Sequence, residues 1–308
     1  MKIAILGATS QIAKDLIISF SEYTDYECVL FSRDVARVDK QFLDLNIKIS
    51  YLNLTYESFS EHDAYDVIIN FVGVGDPAAA KKMGADIFAI TEHYDNLALN
   101  YLKVHPGCKY IFISSGAVYG GSFETPVNEN TQATVTINNL KETDWYAIAK
   151  LYAEAKHRAL SDYSIIDVRV FNYFSHTQDM NTRFLITDIV RAIQMKEVFK
   201  TSPENIVRDF ITPDGFFDLV QAIIKAKPTN IALDCYTKSP VEKLVLLSEL
   251  ESRFGLPVEI SDFTDVVNAT GSKLKYFSLN KIAEMIGYAP QKTSLEGIVE
   301  QLMLIDKL

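Results

Sequence analysis

The chain has 308 residues, 48% of them apolar, with a formal net charge of −10. That length and apolar fraction can bury a full core in one large α/β unit or two closely joined parts. The acidic balance, with no basic cluster, argues against a nucleic-acid partner, and no apolar run reaches membrane-spanning length.

In chain order, Lys2–Leu6 reads as a buried parallel strand, a short apolar run with a turn signal behind it, and not as a cleavable leader. Gly7-Ala-Thr9-Ser10-Gln11-Ile12-Ala13 follows, then Leu16, Ile17 and Phe20 at helical spacing. Strand, small-residue turn and helix make the phosphate-binding half of a dinucleotide fold, in which backbone N–H groups and the helix N-terminus face a pyrophosphate. Only the first of the three expected glycines is present, with small Ser10 and Ala13 at the other two positions; an ordinary tight turn explains this loop equally well on its own.

Further strands are predicted at Cys28–Ser32, Ile47–Leu52, Asp66–Val72, Tyr110–Ser114 and Ile165–Val170, with long helices over Asp86–Leu102 and Asp144–Tyr163. To about Asn172 this alternation describes parallel βαβ units. Beyond it the pattern loosens into short strands and helices near Phe184–Met195, Pro213–Lys227, Pro240–Phe254, Leu279–Ile286 and Ser294–Leu308. The expected architecture is a Rossmann-type, doubly wound parallel sheet over residues 1–172, with a smaller substrate-binding part over 173–308. A ligand cleft belongs at the C-terminal strand ends.

Cys28, Cys108 and Cys235 are scattered without metal-type pairing, and read as buried, reduced thiols of a cytoplasmic protein. No metal is expected.

The chemistry is carried by Tyr146-Ala-Ile-Ala-Lys150, preceded by Ile113-Ser114-Ser115-Gly116-Ala117-Val118-Tyr119-Gly120. A tyrosine and a lysine four apart on a helix share one face, so an ammonium can sit beside a phenol and lower its pKa from about 10. Such a phenol exchanges protons nearer neutral pH. A serine from a strand end can orient the same substrate oxygen. Alone, this spacing is usually a solvated helix face.

Taken together, these pieces resemble the extended short-chain dehydrogenase/reductase family, specifically its nucleotide-sugar epimerases, dehydratases and reductases. Gly7-x-x-Ser10-x-x-Ala13 stands for the family's Gly-x-x-Gly-x-x-Gly, and Asp66-Val-Ile-Ile-Asn-Phe71-Val72-Gly73 for the strand under the cofactor. Ser115, Tyr146 and Lys150 match its catalytic serine, tyrosine and lysine. Arg169-Val-Phe-Asn172-Tyr-Phe-Ser175 looks like its Arg-x-Phe-Asn-x-Tyr-Gly segment, and Arg208-Asp-Phe-Ile211 like its Arg-Asp-Phe-Val stretch. Gly287-Tyr-Ala-Pro290 and Ser294-Leu-Glu-Gly297 fit its C-terminal ending.

The resemblance implies that Tyr146 exchanges a proton with a sugar oxygen while hydride moves to or from nicotinamide. Lys150 would bond the nicotinamide ribose and depress the tyrosine pKa, and Ser115 would steady the alkoxide. The cofactor would lie along Gly7, Thr9, Ser10, Gln11, Ile12, Phe71, Val72, Gly73 and Ser114. Ser32 and Arg33 end the second strand where a 2′-phosphate would sit, so NADP is preferred; Asp34, one residue on, keeps NAD open. Asn53-Leu54 falls where the family has Asp-Leu against adenine. Ser115, Gly116, Ala117, Asn172, His176, Arg183 and Arg208 would face a nucleotide-activated sugar, with Arg208 on its diphosphate. A surface ion pair with Asp209 is the bland reading of Arg208, and a structural role that of His176. The two long helices would pair in a homodimer, and the two parts of the chain would interleave.

Dehydratases of the family usually carry Asp-Glu where this chain has Gly116-Ala117, so elimination is disfavoured. The preferred reading is NADPH-dependent reduction of a 4-keto deoxysugar nucleotide. A 4-epimerase retaining NAD is the alternative, and a non-catalytic dinucleotide sensor or scaffold is the reading from a different class.

Overall fold

The computed structural model describes residues 1–60, 62–74, 77–121, 123–261 and 273–305. Strands β1 (Lys2–Leu6), β2 (Glu27–Ser32), β3 (Leu52–Thr55), β4 (Val67–Asn70), β5 (Lys109–Ser115) and β6 (Ile165–Val170) form a parallel sheet in the order β3-β2-β1-β4-β5-β6. Helices α1 (Gln11–Tyr23), α2 (Val35–Asp44), α3 (Pro77–Met83), α4 (Asp86–Val104) and α5 (Trp145–Arg158) provide the crossovers. This is the doubly wound arrangement expected, with the strand order reversing beside β1, where such sheets bind dinucleotides.

The strands read as continuous apolar runs because both faces are covered. Ile3, Ile5, Leu30, Ile69, Ile111, Ile166 and Val168 face one core with Leu16, Ile17 and Phe20 of α1. Their neighbours Ala4, Leu6, Val29, Ile68, Tyr110, Phe112 and Ile165 face the other, with Ala98, Leu99 and Leu102 of α4 and Ala153 of α5. Burying each such aliphatic side chain contributes about 1.5–3 kcal/mol before the entropy of ordering it is set against it.

After β7 (Asn172–Tyr173), the chain forms α6 (Leu185–Met195), β8 (Phe199–Thr201), β9 (Val207–Arg208) and β10 (Phe210–Ile211). It then returns to the large sheet. Helix α7 (Pro213–Lys225) packs on α1, and β11 (Ile231–Asp234) pairs parallel with β6 as the seventh strand. A short β12 (Val241–Glu242), α8 (Lys243–Phe254), β13 (Val258–Ile260), β14 (Lys275–Tyr276) and α9 (Ser294–Met303) complete the chain. A third core joins Phe174 to α6, α8 and α9 through Ile186, Ile189, Leu246, Leu250, Ile298 and Leu302.

Several boundaries differ from expectation. The third strand begins at Leu52, not Ile47. Asn46 closes α2 at φ 56°, and the N–H of Ile47 still bonds the carbonyl of Phe42. Ile49 and Tyr51 alternate like strand residues but pack against the core ahead of the pairing, which starts at Val29 opposite Leu52. The segment read as a helix over Leu279–Ile286 is a short 3-10 turn at Ile282–Ile286. Helix α8 starts at Lys243, because Val241 and Glu242 pair with β9. The end of the last predicted helix, 306–308, lies outside the described residues.

Candidate active site

Gly7 ends β1 at φ 83°, and a Cβ there would stand 2.9 Å from the backbone of Phe71 and Val72, so only glycine fits. Its N–H and that of Ala8 bond the carbonyl of Phe31, and Gln41 of α2 holds the Ala8 carbonyl at 2.9 Å. Ser10 opens α1 without a side-chain cap, so the first N–H groups of the helix carry none. Thr9 and Ile12 are half-buried here, and Ala13 is buried. Gln11 instead spends its side-chain amide on Asp15 and Thr177.

At the far end of the cleft, Ser32 is buried with no partner for its Oγ, Arg33 is exposed, and Asp34 caps α2 by accepting from the N–H of Arg37. Asn53 donates to the Val35 carbonyl and Asp39, while its Oδ1 is buried without a partner; Leu54 packs into the core. Buried, unpaired Ser32 Oγ and Asn53 Oδ1 along an uncapped phosphate turn fit a dinucleotide, since orphaned polar atoms are costly unless a ligand satisfies them.

Ser115 ends β5 with its Oγ accepting from the Ala117 N–H at 3.2 Å, which opens a 3-10 turn over Gly116–Tyr119. Tyr146 is half-buried in the first turn of α5, and Ser115 acts to lower its pKa. Lys150 follows one turn later, buried, its Nζ donating to the carbonyls of Ile113 (2.8 Å) and Val72 (3.3 Å) and standing 4.2 Å from the centre of the Phe112 ring. Gly73 makes room for it, because a Cβ there would lie 3.1 Å from Nζ.

The electrostatics differ from the sequence expectation. Burial raises the Tyr146 pKa, and Ser115 offsets part of that rise. Lys150 is itself drawn down to about 8 by burial, against the carboxylates of Asp95, Asp167 and Glu154. The ammonium of Lys150 bonds two backbone carbonyls, and burial outweighs the favourable contacts of the phenol. Tyr146 holds its proton.

Ser114, expected along the cofactor, points elsewhere. Adjacent strand residues point to opposite faces, so its hydroxyl turns from the site to Glu154 at 2.5 Å. Arg169 grips the same carboxylate through Nε and Nη2, and also donates to Tyr119, while Asp234 accepts from Tyr119 and Ser278. Phe71 is buried against Phe216, and Val72 is half-buried in the opposite core.

Asn172 donates to the carbonyls of Asp209 and Tyr276, so it holds backbone together beneath the site. Arg208 does not pair with Asp209, whose carboxylate bonds Thr237. Instead, Arg208 is 4% exposed, with Nη1 on the carbonyls of Val207 and Leu274 and a buried Nη2 without a partner. Burial lowers its pKa to about 10. His176 and Arg183 are not gathered into this cluster. His176 is exposed and bonded to Gln301 of α9, and exposed Arg183 pairs with Asp188.

Tyr276 was missed by sequence reasoning. It lies 161 positions from Ser115, yet its hydroxyl stands 3.5 Å from Ser115 Oγ, and its ring packs on Phe123 and Phe171. Only the tertiary fold unites them. Glu154, one turn beyond Lys150, was available from helical spacing. Among the described residues, no cluster of His, Cys, Asp or Glu suits a metal ion and no helix is long and apolar enough to cross a membrane.

Solved structures share this fold across nearly the whole chain. The UDP-glucuronic acid 4-epimerase of Bacillus cereus, in complex with UDP-glucuronic acid and NAD, superposes with a TM-score of 0.76 at 16% identity over 99% of each chain. A UDP-glucose-4-epimerase from Stenotrophomonas maltophila with bound NAD and formylated UDP-arabinopyranose gives 0.78 at 15% identity, covering 98% of this chain and 97% of that one. The dTDP-glucose 4,6-dehydratase of Bacillus anthracis with NAD gives 0.76 at 16%, covering 100% and 97%. No curated protein matches the chain in sequence. The sequence pattern of the NAD dependent epimerase/dehydratase family matches residues 3–232, and the chain belongs to that family of enzymes.

Proposed function

We propose that this enzyme moves a hydride and a proton at a carbon–oxygen bond of a nucleotide-activated sugar, and that it reduces a 4-keto deoxysugar using NADPH. The observation that carries the reading is buried Lys150, its Nζ on the Ile113 carbonyl at 2.8 Å, one helical turn after Tyr146 and beside the strand end that carries Ser115. Tyr146 would donate its proton to the sugar oxygen, and Ser115 would steady that oxygen. Lys150 would hold the nicotinamide ribose. The bound dinucleotide supplies the hydride. A phenol that retains its proton suits reduction, because a ketone needs a donor.

Preference for NADPH rests on the end of β2. Arg33 is exposed, and Asp34 gives one carboxylate oxygen to capping α2. Arg208, with an unpaired guanidinium nitrogen, is the candidate for the sugar diphosphate. The smaller part built on α6, α8 and α9 would receive the nucleotide. A homodimer through α4 and α5 belongs to the same reading, supported by exposed Phe88 and Tyr152 on those helices, as does a cytoplasmic setting, supported by three buried free thiols.

A second reading, 4-epimerisation with retained NAD, is favoured by the solved neighbours named as UDP-sugar 4-epimerases with NAD. The experiment that separates them follows the hydride. A 4-keto-6-deoxy nucleotide sugar, made in situ by a dehydratase, is supplied with NADPH deuterated at its transferable position. Reduction places one deuterium on the sugar ring per NADPH consumed. If no member of a broad 4-keto panel consumes NADPH, while an unreduced nucleotide hexose changes configuration without added cofactor, the epimerase reading replaces the reductase.

A further inference from the structure

Behind Lys150 runs a buried chain of hydrogen bonds that none of the roles above uses. The Val72 carbonyl receives Lys150 Nζ at 3.3 Å, and the Val72 N–H donates to Asn70 Oδ1 at 2.9 Å. Asn70 Nδ2 donates to the Tyr110 hydroxyl at 2.9 Å, which donates to Asp95 Oδ1 at 3.0 Å. Asp95 is held by His157 Nε2 at 2.7 Å and by Lys156 at 2.7 Å. The other ring nitrogen of His157 meets Asp167 at 2.6 Å, and Arg158 closes the cluster on Asp167. Asn70 is 1% exposed, and Tyr110, Asp95, His157 and Asp167 are fully buried.

Polar groups this deep are costly unless they are paired, and a connected network holds its members in one arrangement. In this one only Arg158, at the outer end, keeps buried nitrogens without a hydrogen-bond partner, while Asp95 Oδ2 is held by the Lys156 ion pair. Here that arrangement ends on a carbonyl that receives the active-site ammonium. We propose that Asn70, Tyr110, Asp95 and His157 act as positioning residues for Lys150, fixing the Val72 carbonyl from the interior of the α4–α5 layer. The proposal rests on reading Lys150 as the lysine that binds the nicotinamide ribose.

The charges facing Lys150 are defined. Asp95 of α4, Asp167 of β6 and Glu154 of α5 favour its ammonium, while burial opposes it. Glu154 is itself paired with Arg169, and Asp95 and Asp167 with Lys156, His157 and Arg158. Tyr146 and the carbonyls of Ile113 and Val72 complete its surroundings. Tyr110→Phe therefore breaks the chain at its middle without altering any of these charges, whereas Asp95→Asn removes one of them.

The test labels the full chain with [13Cε]lysine, assigns Lys150 by comparison with Lys150→Arg, and titrates NADH and NADPH by fluorescence. In Tyr110→Phe, the Lys150 resonance should shift or broaden, and the cofactor that the wild type binds should bind about tenfold more weakly, the scale of one lost internal hydrogen bond. Asp95→Asn should move the Lys150 titration to lower pH. If Asp95→Asn does not fold, Tyr110→Phe decides alone. A lower melting temperature with unchanged Lys150 resonance and unchanged cofactor affinity in Tyr110→Phe makes the chain simple core packing and overturns the proposal. A wild-type protein that binds neither cofactor overturns the ribose role of Lys150, and the resonance still decides whether the chain positions it.

Discussion

Gly116 and Phe171 compete for one volume: a Cβ on residue 116 would lie 2.4 Å from Cδ1 of the Phe171 ring. That ring is packed by Tyr119 and Tyr276, so it has little room to withdraw. Position 116 is where dehydratases of the family usually carry an acid. No carboxylate fits here.

Gly116→Asp should consequently destabilise the fold by about 1–3 kcal/mol from overpacking, with a further cost for the buried charge, and should not confer water elimination. Thermal melting measures the first and formation of a 4-keto product the second. An unchanged melting temperature would show that the Phe171 ring yields freely.

Tyr146→Phe removes one hydroxyl and little volume. Folding and cofactor binding should survive while turnover falls by roughly two to four decades, the scale of lost acid–base catalysis. Single-turnover rates with saturating cofactor give the measurement, and near-normal turnover removes Tyr146 from the mechanism.

Arg33 tests the cofactor. If its guanidinium clamps a 2′-phosphate, Arg33→Ala should weaken NADPH by about 1.5–3 kcal/mol, the range of a charge-assisted hydrogen bond, and barely affect NADH. Paired calorimetric titrations decide. Equal losses for both would assign Arg33 to something other than the phosphate.

His157 makes a prediction about pH. Burial alone would lower its pKa, but Asp167 and Asp95 together raise it to about 9 from 6.5. A group raised on folding contributes stability that is complete below its unfolded value and is lost as pH rises through the folded one. This contribution should thus fade between about pH 6.5 and 9, and the ring should remain imidazolium at neutral pH. Imidazole carbon shifts of labelled protein check it; a His157 that titrates near 6.5 contradicts the paired arrangement.

The parallel sheet was legible because both its faces are covered, which makes β1, β2, β5 and β6 plain apolar runs. The placement of Ser115, Tyr146 and Lys150 was legible because two of them share a helix turn and the third ends a strand. What escaped depended on direction and distance. Ser114 and Ser115 are neighbours in sequence, but the pleat sends one to Glu154 and leaves the other at the site. The pKa of Tyr146 could not be read from its spacing to Lys150, because it is burial of the phenol, set by the tertiary fold, that raises it. That Arg208 stands apart from Asp209 could not be read from their adjacency, because it required Thr237 to be placed. Tyr276 reaches Ser115 only when β14 pairs with β9.

The return of β11 to the edge of β6 bears on how the chain acquires its shape. Until residues 231–234 arrive, β6 presents an open row of backbone donors and acceptors, the usual template for unwanted strand pairing. Arg169 on that strand would also lack Asp234, its partner on β11. During synthesis, the β6 edge therefore stays unpaired until the chain beyond α7 has emerged. A fragment ending near residue 172 should aggregate, not fold as a free-standing unit, and release of the nascent chain from protease sensitivity should come only after Asp234 is clear of the ribosome.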